Sequence, residues 1–181
     1  SRDSSFRPKS GLAARLEGGY GAGLTGETSS GREYAWSRHT VDVTYFQPVI
    51  ARDRALVLHA RLDKVEPTGG GAVPFWELPK LDEDHGLRAF GRNRFRDRGA
   101  LLFNVEYRYP VWDTWDAYVF LDEGQVFEEY RDLSIARFEW SAGGGLLLST
   151  RDAFALRVEC AVGDEGTGFT VGVDQTFAAF D

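Results

Sequence analysis

Methionine is absent from this chain, cysteine occurs once, and no stretch of its 181 residues stays apolar for long. Each shortage closes off a class. A lone Cys160 permits no internal disulfide. No spacing of cysteine and histidine matches a zinc site. No apolar run approaches the ~18 residues that a membrane helix needs. The histidines, His39, His59 and His85, lie on separate segments with no nucleophile motif beside them. No catalytic or metal-ligating residue is assigned, so the chain is expected to be neither an enzyme nor a cofactor carrier. The formal charge of −7 argues against a nucleic-acid partner.

Glycine and aromatic residues are plentiful instead: 21 Gly, 13 Phe, 7 Tyr and 5 Trp. They fall in segments that alternate apolar and polar with period two, the pattern of a strand with two unlike faces. Eight such segments are predicted: 12–24, 34–50, 55–65, 100–109, 116–127, 138–149, 154–162 and 169–177. In the third, Leu56, Leu58, Ala60 and Leu62 share one face, and His59, Arg61 and Asp63 the other. In the seventh, Phe154, Leu156, Val158 and Cys160 oppose Arg157 and Glu159. Cys160 reads as a small apolar group on the outward side.

The connections alternate. Segments 25–32, 67–99, 128–135 and 163–168 are expected as four longer loops on one side. Segments 51–54, 111–115 and 149–152 are expected as short turns on the other. Short turns at one end and long loops at the other mark an outer-membrane barrel. Trp112 and Trp115 fit interfacial anchors. The same alternation leaves open a soluble sandwich or lipocalin-like barrel.

The most informative stretch is 86–127. Segment 67–99 holds Phe75, Trp76 and five arginines. It is too long to be an idle connection. Gly69-Gly70-Gly71 is expected to be its mobile part. Next come two strands with a carboxylate facing the polar side: Glu106 among Leu101, Phe103, Val105, Tyr107 and Tyr109, then Asp122 after Val119 and Leu121. Arginines in a loop beside inward carboxylates suggest that the loop folds back among the strands.

Three patterns here resemble the outer-membrane protein assembly and translocation superfamily, the BamA-like and bacterial surface antigen group. Leu87-Arg88-Ala89-Phe90 resembles its (V/L)-R-G-(F/Y) loop motif. Asn104 to Pro110 resembles the following strand, and Phe120-Leu121-Asp122-Glu123-Gly124 its F-x-D-x-G motif. The start, Arg2-Asp3 through Pro8 to Gly11, resembles the family's entry into a strand. One departure is Ala89, where glycine is usual; a tip needing positive φ would suit alanine poorly.

The resemblance implies an all-β fold: an antiparallel transmembrane barrel of about eight strands over 1–181, either a complete small barrel or the C-terminal half of a larger one. It implies an outer membrane, bacterial or organellar. It implies that Arg88 docks on Asp122 with Glu106 nearby, and that Phe90 and Gly124 belong to the docking site. Otherwise Arg88 is solvated and the carboxylates meet neighbours such as Arg108. Leu101, Phe103, Val105, Tyr107, Val119 and Leu121, with Leu156 and Val158, are expected to face lipid. The implied function is insertion or translocation of proteins; the alternative is a structural or binding barrel without insertase activity.

Expected partners are the lipid bilayer, a second barrel half or second copy, and unfolded outer-membrane protein clients. A chain beginning at Ser1 without a signal peptide reads as a mature chain or an excised piece. Eight closed strands leave a lumen just filled by side chains, so a lumenal loop of this size implies that the end strands pair outside the chain.

Overall fold

The structure is a computed structural model and describes residues 10–27, 33–49, 54–82, 86–149 and 154–175. The motif at 2–8, His85, the turn residues 51–53 and 150–152, and Thr176 and Phe177 lie outside the described residues, as does the side chain of Asp174.

Among the described residues ten strands form: β1 (Gly11–Glu27), β2 (Glu33–Pro48), β3 (Ala55–Pro67), β4 (Lys80–Leu81), β5 (Phe95–Arg96), β6 (Gly99–Pro110), β7 (Trp115–Phe127), β8 (Glu139–Ser149), β9 (Phe154–Gly163) and β10 (Gly166–Gln175). Eight of them make one antiparallel sheet in the order β1-β2-β3-β6-β7-β8-β9-β10. β4 and β5 form a two-residue hairpin inside the connection between β3 and β6. Among the described residues β1 and β10 do not pair with each other, so the sheet is an open wall.

Register follows from the alternation. One row across the sheet reads Leu58, Val105, Leu121, Ala142; the row beside it reads His59, Asn104, Asp122, Ser141. Slipping one strand by a residue would mix the two rows. The first row lies on the outward face, where Val105 and Leu121 are exposed. The second lies on the inner face, with Asp122 and Ser141 fully buried.

The core lies between the inner face and the β3–β6 connection. Leu81, Leu87 and Phe90 from that connection pack on Ala100 and Leu102. Beside them Tyr118, Phe120, Leu147 and Ala161 form a second cluster, and Ala89 touches both.

Three expectations need correction. The connection at 163–168 is a two-residue turn, Asp164-Glu165, because Gly166 adopts φ +145° and lets β10 start at once. Three longer connections therefore share that side, not four. The glycine triplet is a defined turn: Gly69 and Gly70 take positive φ, and Gly71 N–H donates to Thr68 O at 2.8 Å. Residues 128–138 are no plain charged loop. Two 3-10 turns, Tyr130–Asp132 and Ile135–Arg137, fold back over the outward face. Lys64 Nζ donates to Glu128 O at 2.8 Å, Gln125 Nε2 to Asp132 O at 3.2 Å, and Phe138 stacks on Phe103 at 6.1 Å.

Candidate functional site: an arginine docked on the inner wall

Local chemistry brings the loop apex inward. Pro74 and Pro79 are buried in the descending limb, and the β4–β5 hairpin closes the loop into two limbs. At its tip Asp82 accepts from the Asn93 N–H at 2.6 Å, and Asn93 takes φ 58°. Gly86 has φ +102°, and a Cβ there would lie 2.3 Å from Leu102 Cδ2. Only glycine suits both the backbone and the contact. Leu87 and Phe90 then anchor in the core on either side of Arg88. Ala89 is not among the positive-φ residues, so the family's glycine is dispensable here. Its methyl points where Gly163 has no side chain: a Cβ on Gly163 would sit 3.1 Å away.

Arg88 reaches three strands. Its Nε and Nη2 donate to Asp122 Oδ2 and Oδ1 of β7 at 2.9 and 2.6 Å, a bidentate fork. Its Nη1 donates to Glu106 Oε1 of β6 at 2.9 Å and to Glu159 Oε1 of β9 at 2.8 Å. The guanidinium lies 3.5 Å from the Phe120 ring centroid, within cation–π range.

Each carboxylate has further support. Asp122 accepts from Ser141 Oγ and Asn104 Nδ2, both at 2.8 Å. Asn104 Nδ2 also donates to Gly86 O at 3.0 Å, tying wall to loop backbone. His59 bridges Asn104 Oδ1 at 2.7 Å and Asp42 Oδ1 at 3.1 Å. Arg108 forks onto Glu106 Oε2 at 2.9 and 2.7 Å, and Arg157 lies 3.5 Å from Glu159. Three guanidiniums thus meet three carboxylates, and the buried cluster is electrically balanced.

Burial alone would push the Arg88 pKa down; the Asp122 hydrogen bonds and the flanking carboxylates outweigh it and push the pKa up. The guanidinium is charged at every accessible pH, and the arrangement is an anchor, not an acid–base pair.

The structure thus brings Arg88, Asp122 and Glu106 together. Arg108 also meets Glu106, as the alternative reading expected, but Arg88 is buried rather than solvated. Phe90 lies edge-on to Phe95 at 5.0 Å. Gly124 is where Leu81 approaches, since a Cβ there would be 2.8 Å from Leu81 Cδ1. Leu101, Phe103, Val105, Tyr107, Val119 and Leu121 all lie on the outward face. Sequence reasoning missed Glu159, Ser141 and His59 as members of the site; the one signal for Glu159 was its polar-side phase on β9. It also missed two contacts with the last hairpin. Gly168 of β10 abuts Arg88, a Cβ there falling 2.5 Å from the Arg88 carbonyl. Arg94 forks onto Glu165, with Nε to Oε2 at 2.7 Å. That exposed pair raises the Arg94 pKa and lowers that of Glu165, chiefly through the hydrogen bonds between them.

The sequence matches the Omp85 superfamily domain over residues 1–177. No curated protein matches it. Among solved structures, the fold resembles BamA from Haemophilus ducreyi lacking POTRA domains 1–3, with TM-score 0.73 and 14% sequence identity. The similarity covers 96% of this chain and 40% of that one.

Proposed function

The chain belongs to the Omp85 superfamily, and from that premise we propose that it works in insertion or translocation of proteins at the outer membrane, with the docked loop as the element that organises its lumen. The observation that carries this reading is the engagement of Arg88 by carboxylates from three strands, two of them neighbours in the sheet and the third on the far side of β8. An anchor of this kind contributes little net stability, because desolvating the charges offsets much of their attraction. Its value is geometric: it fixes one loop position against β6, β7 and β9.

In this reading the outward row is the lipid belt. The open edges of β1 and β10 pair with strands supplied by a further barrel portion or a second copy, since unpaired backbone groups in lipid cost several kcal/mol each. Clients are unfolded outer-membrane proteins.

The test is folding of a client barrel into liposomes that carry the purified protein. Faster client folding than in empty liposomes, lost in Arg88→Ala, is expected. No acceleration by a heat-modifiable, correctly folded protein would refute the reading and favour a structural barrel without insertase activity.

A further inference from the structure

The returning loop 128–138 leaves a groove on the outward face, about 500 Å³ in volume and lined by Phe103, Leu121, Glu123, Ile135, Phe138 and Trp140. Five of these are apolar or aromatic. Ile135 is 94% exposed and lines the groove from the loop side. The sixth is a carboxylate. Register sets Glu123 between Phe103 on β6 and Trp140 on β8. Among the described residues Glu123 is the one charged side chain on the outward faces of β6, β7 and β8, and none of them forms a hydrogen bond or ion pair with it. Its outward neighbours on β7 are Leu121 on one side and Gln125 on the other, the latter held by the loop backbone. The groove thus straddles the line where the apolar belt ends.

A carboxylate beside an apolar groove at a membrane boundary is costly unless a cation meets it. We propose that this groove is a lipid site: one acyl chain lies along Phe103, Leu121, Ile135 and Phe138, and the primary ammonium of an amine-headed phospholipid donates to Glu123. An anionic headgroup would be repelled. A trimethylammonium headgroup would be attracted but could donate no hydrogen bond. The proposal rests on the outward row being the lipid belt.

The experiment is native mass spectrometry of the full chain in detergent. It is titrated with phosphatidylethanolamine, phosphatidylcholine and phosphatidylglycerol of one chain length, and heat-modifiability is checked on every sample. Ethanolamine lipid is expected to be retained best. Glu123→Gln should remove that preference, a loss of roughly tenfold for one charge-assisted bond, whereas Glu123→Asp should keep it. Ile135→Ser should weaken all three lipids alike. Equal retention of the three, a preference that survives Glu123→Gln, or a preference for phosphatidylglycerol would each overturn the site while leaving a heat-modifiable barrel. A wild-type chain soluble without detergent would overturn the membrane reading itself, and the site with it.

Discussion

Two long connections leave the same side of the sheet and go opposite ways. The one between β3 and β6 turns inward and is held by charge: a bidentate Arg88–Asp122 fork, two further carboxylates and an amide link from Asn104. The one between β7 and β8 turns outward and is held by Gln125, by backbone carbonyls and by ring contacts of Phe127 and Phe138. The face each loop meets accounts for the difference. The inner wall offers carboxylates that cannot stay buried unpaired. The outward wall offers aromatics, one amide and a single ammonium, Lys64, which meets a loop carbonyl and the Phe127 and Tyr130 rings. A buried set of ion pairs pins the inner loop to one position, whereas single hydrogen bonds from Lys64 and Gln125, the Arg98–Glu128 pair and ring packing drape the outer loop.

The comparison is broken most severely at Arg88. Arg88→Ala leaves three buried carboxylates without their shared partner, which should cost about 3–5 kcal/mol of docking. Limited proteolysis should then cut within 86–98 while the strands persist. Unchanged protection would mean that Leu87 and Phe90 hold the loop without the charge. On the outward face, Val105→Arg should cost roughly 2–4 kcal/mol in a bilayer if it lies at mid-membrane, and little in aqueous detergent-free medium if that face is wet. Equilibrium unfolding in lipid reads the difference.

A smaller effect is expected where loop and wall touch through backbone. Gly168→Ala puts a methyl against the Arg88 carbonyl and should cost about 1–3 kcal/mol, seen as a lower midpoint in denaturant. Ala at Gly18, where nothing lies within 4 Å, is the neutral control. The least effect belongs to the exposed Arg94–Glu165 pair. Because Glu165 is held below the usual carboxylate range, the stabilisation is present at neutral pH. It fades as pH falls below the unfolded value of about 4.3 toward the lower folded one. Protease access at 91–94 should rise over that window and not on the alkaline side.

Much of the inner site was legible because period two assigns faces without knowledge of the fold. Glu106 and Asp122 had to point away from Val105 and Leu121. Glu159 was equally well phased on β9. What sequence could not supply was that the loop crosses β7 and β8 to reach it, since that distance depends on sheet curvature. The outward cap was hidden for a similar reason. Lys64 and Gln125 interrupt the apolar row at its upper end, yet an interruption does not say what covers it. The two-residue turn before β10 was read as a longer loop because Gly163, Gly166 and Gly168 look like loop residues; here Gly163 and Gly168 make room for Ala89 and the Arg88 carbonyl instead.

The most direct measurement is a disulfide between the loop apex and the far wall. With Cys160→Ser as background, Ala89→Cys is paired with Gly163→Cys, whose Cβ positions lie 3.1 Å apart, close to the ~3.5–4.5 Å that a disulfide spans. If the loop is docked on the inner wall, the bond forms readily in membranes and its yield drops when Arg88→Ala is added. Free thiols at both positions in a folded, heat-modifiable protein would place the loop elsewhere and contradict the account.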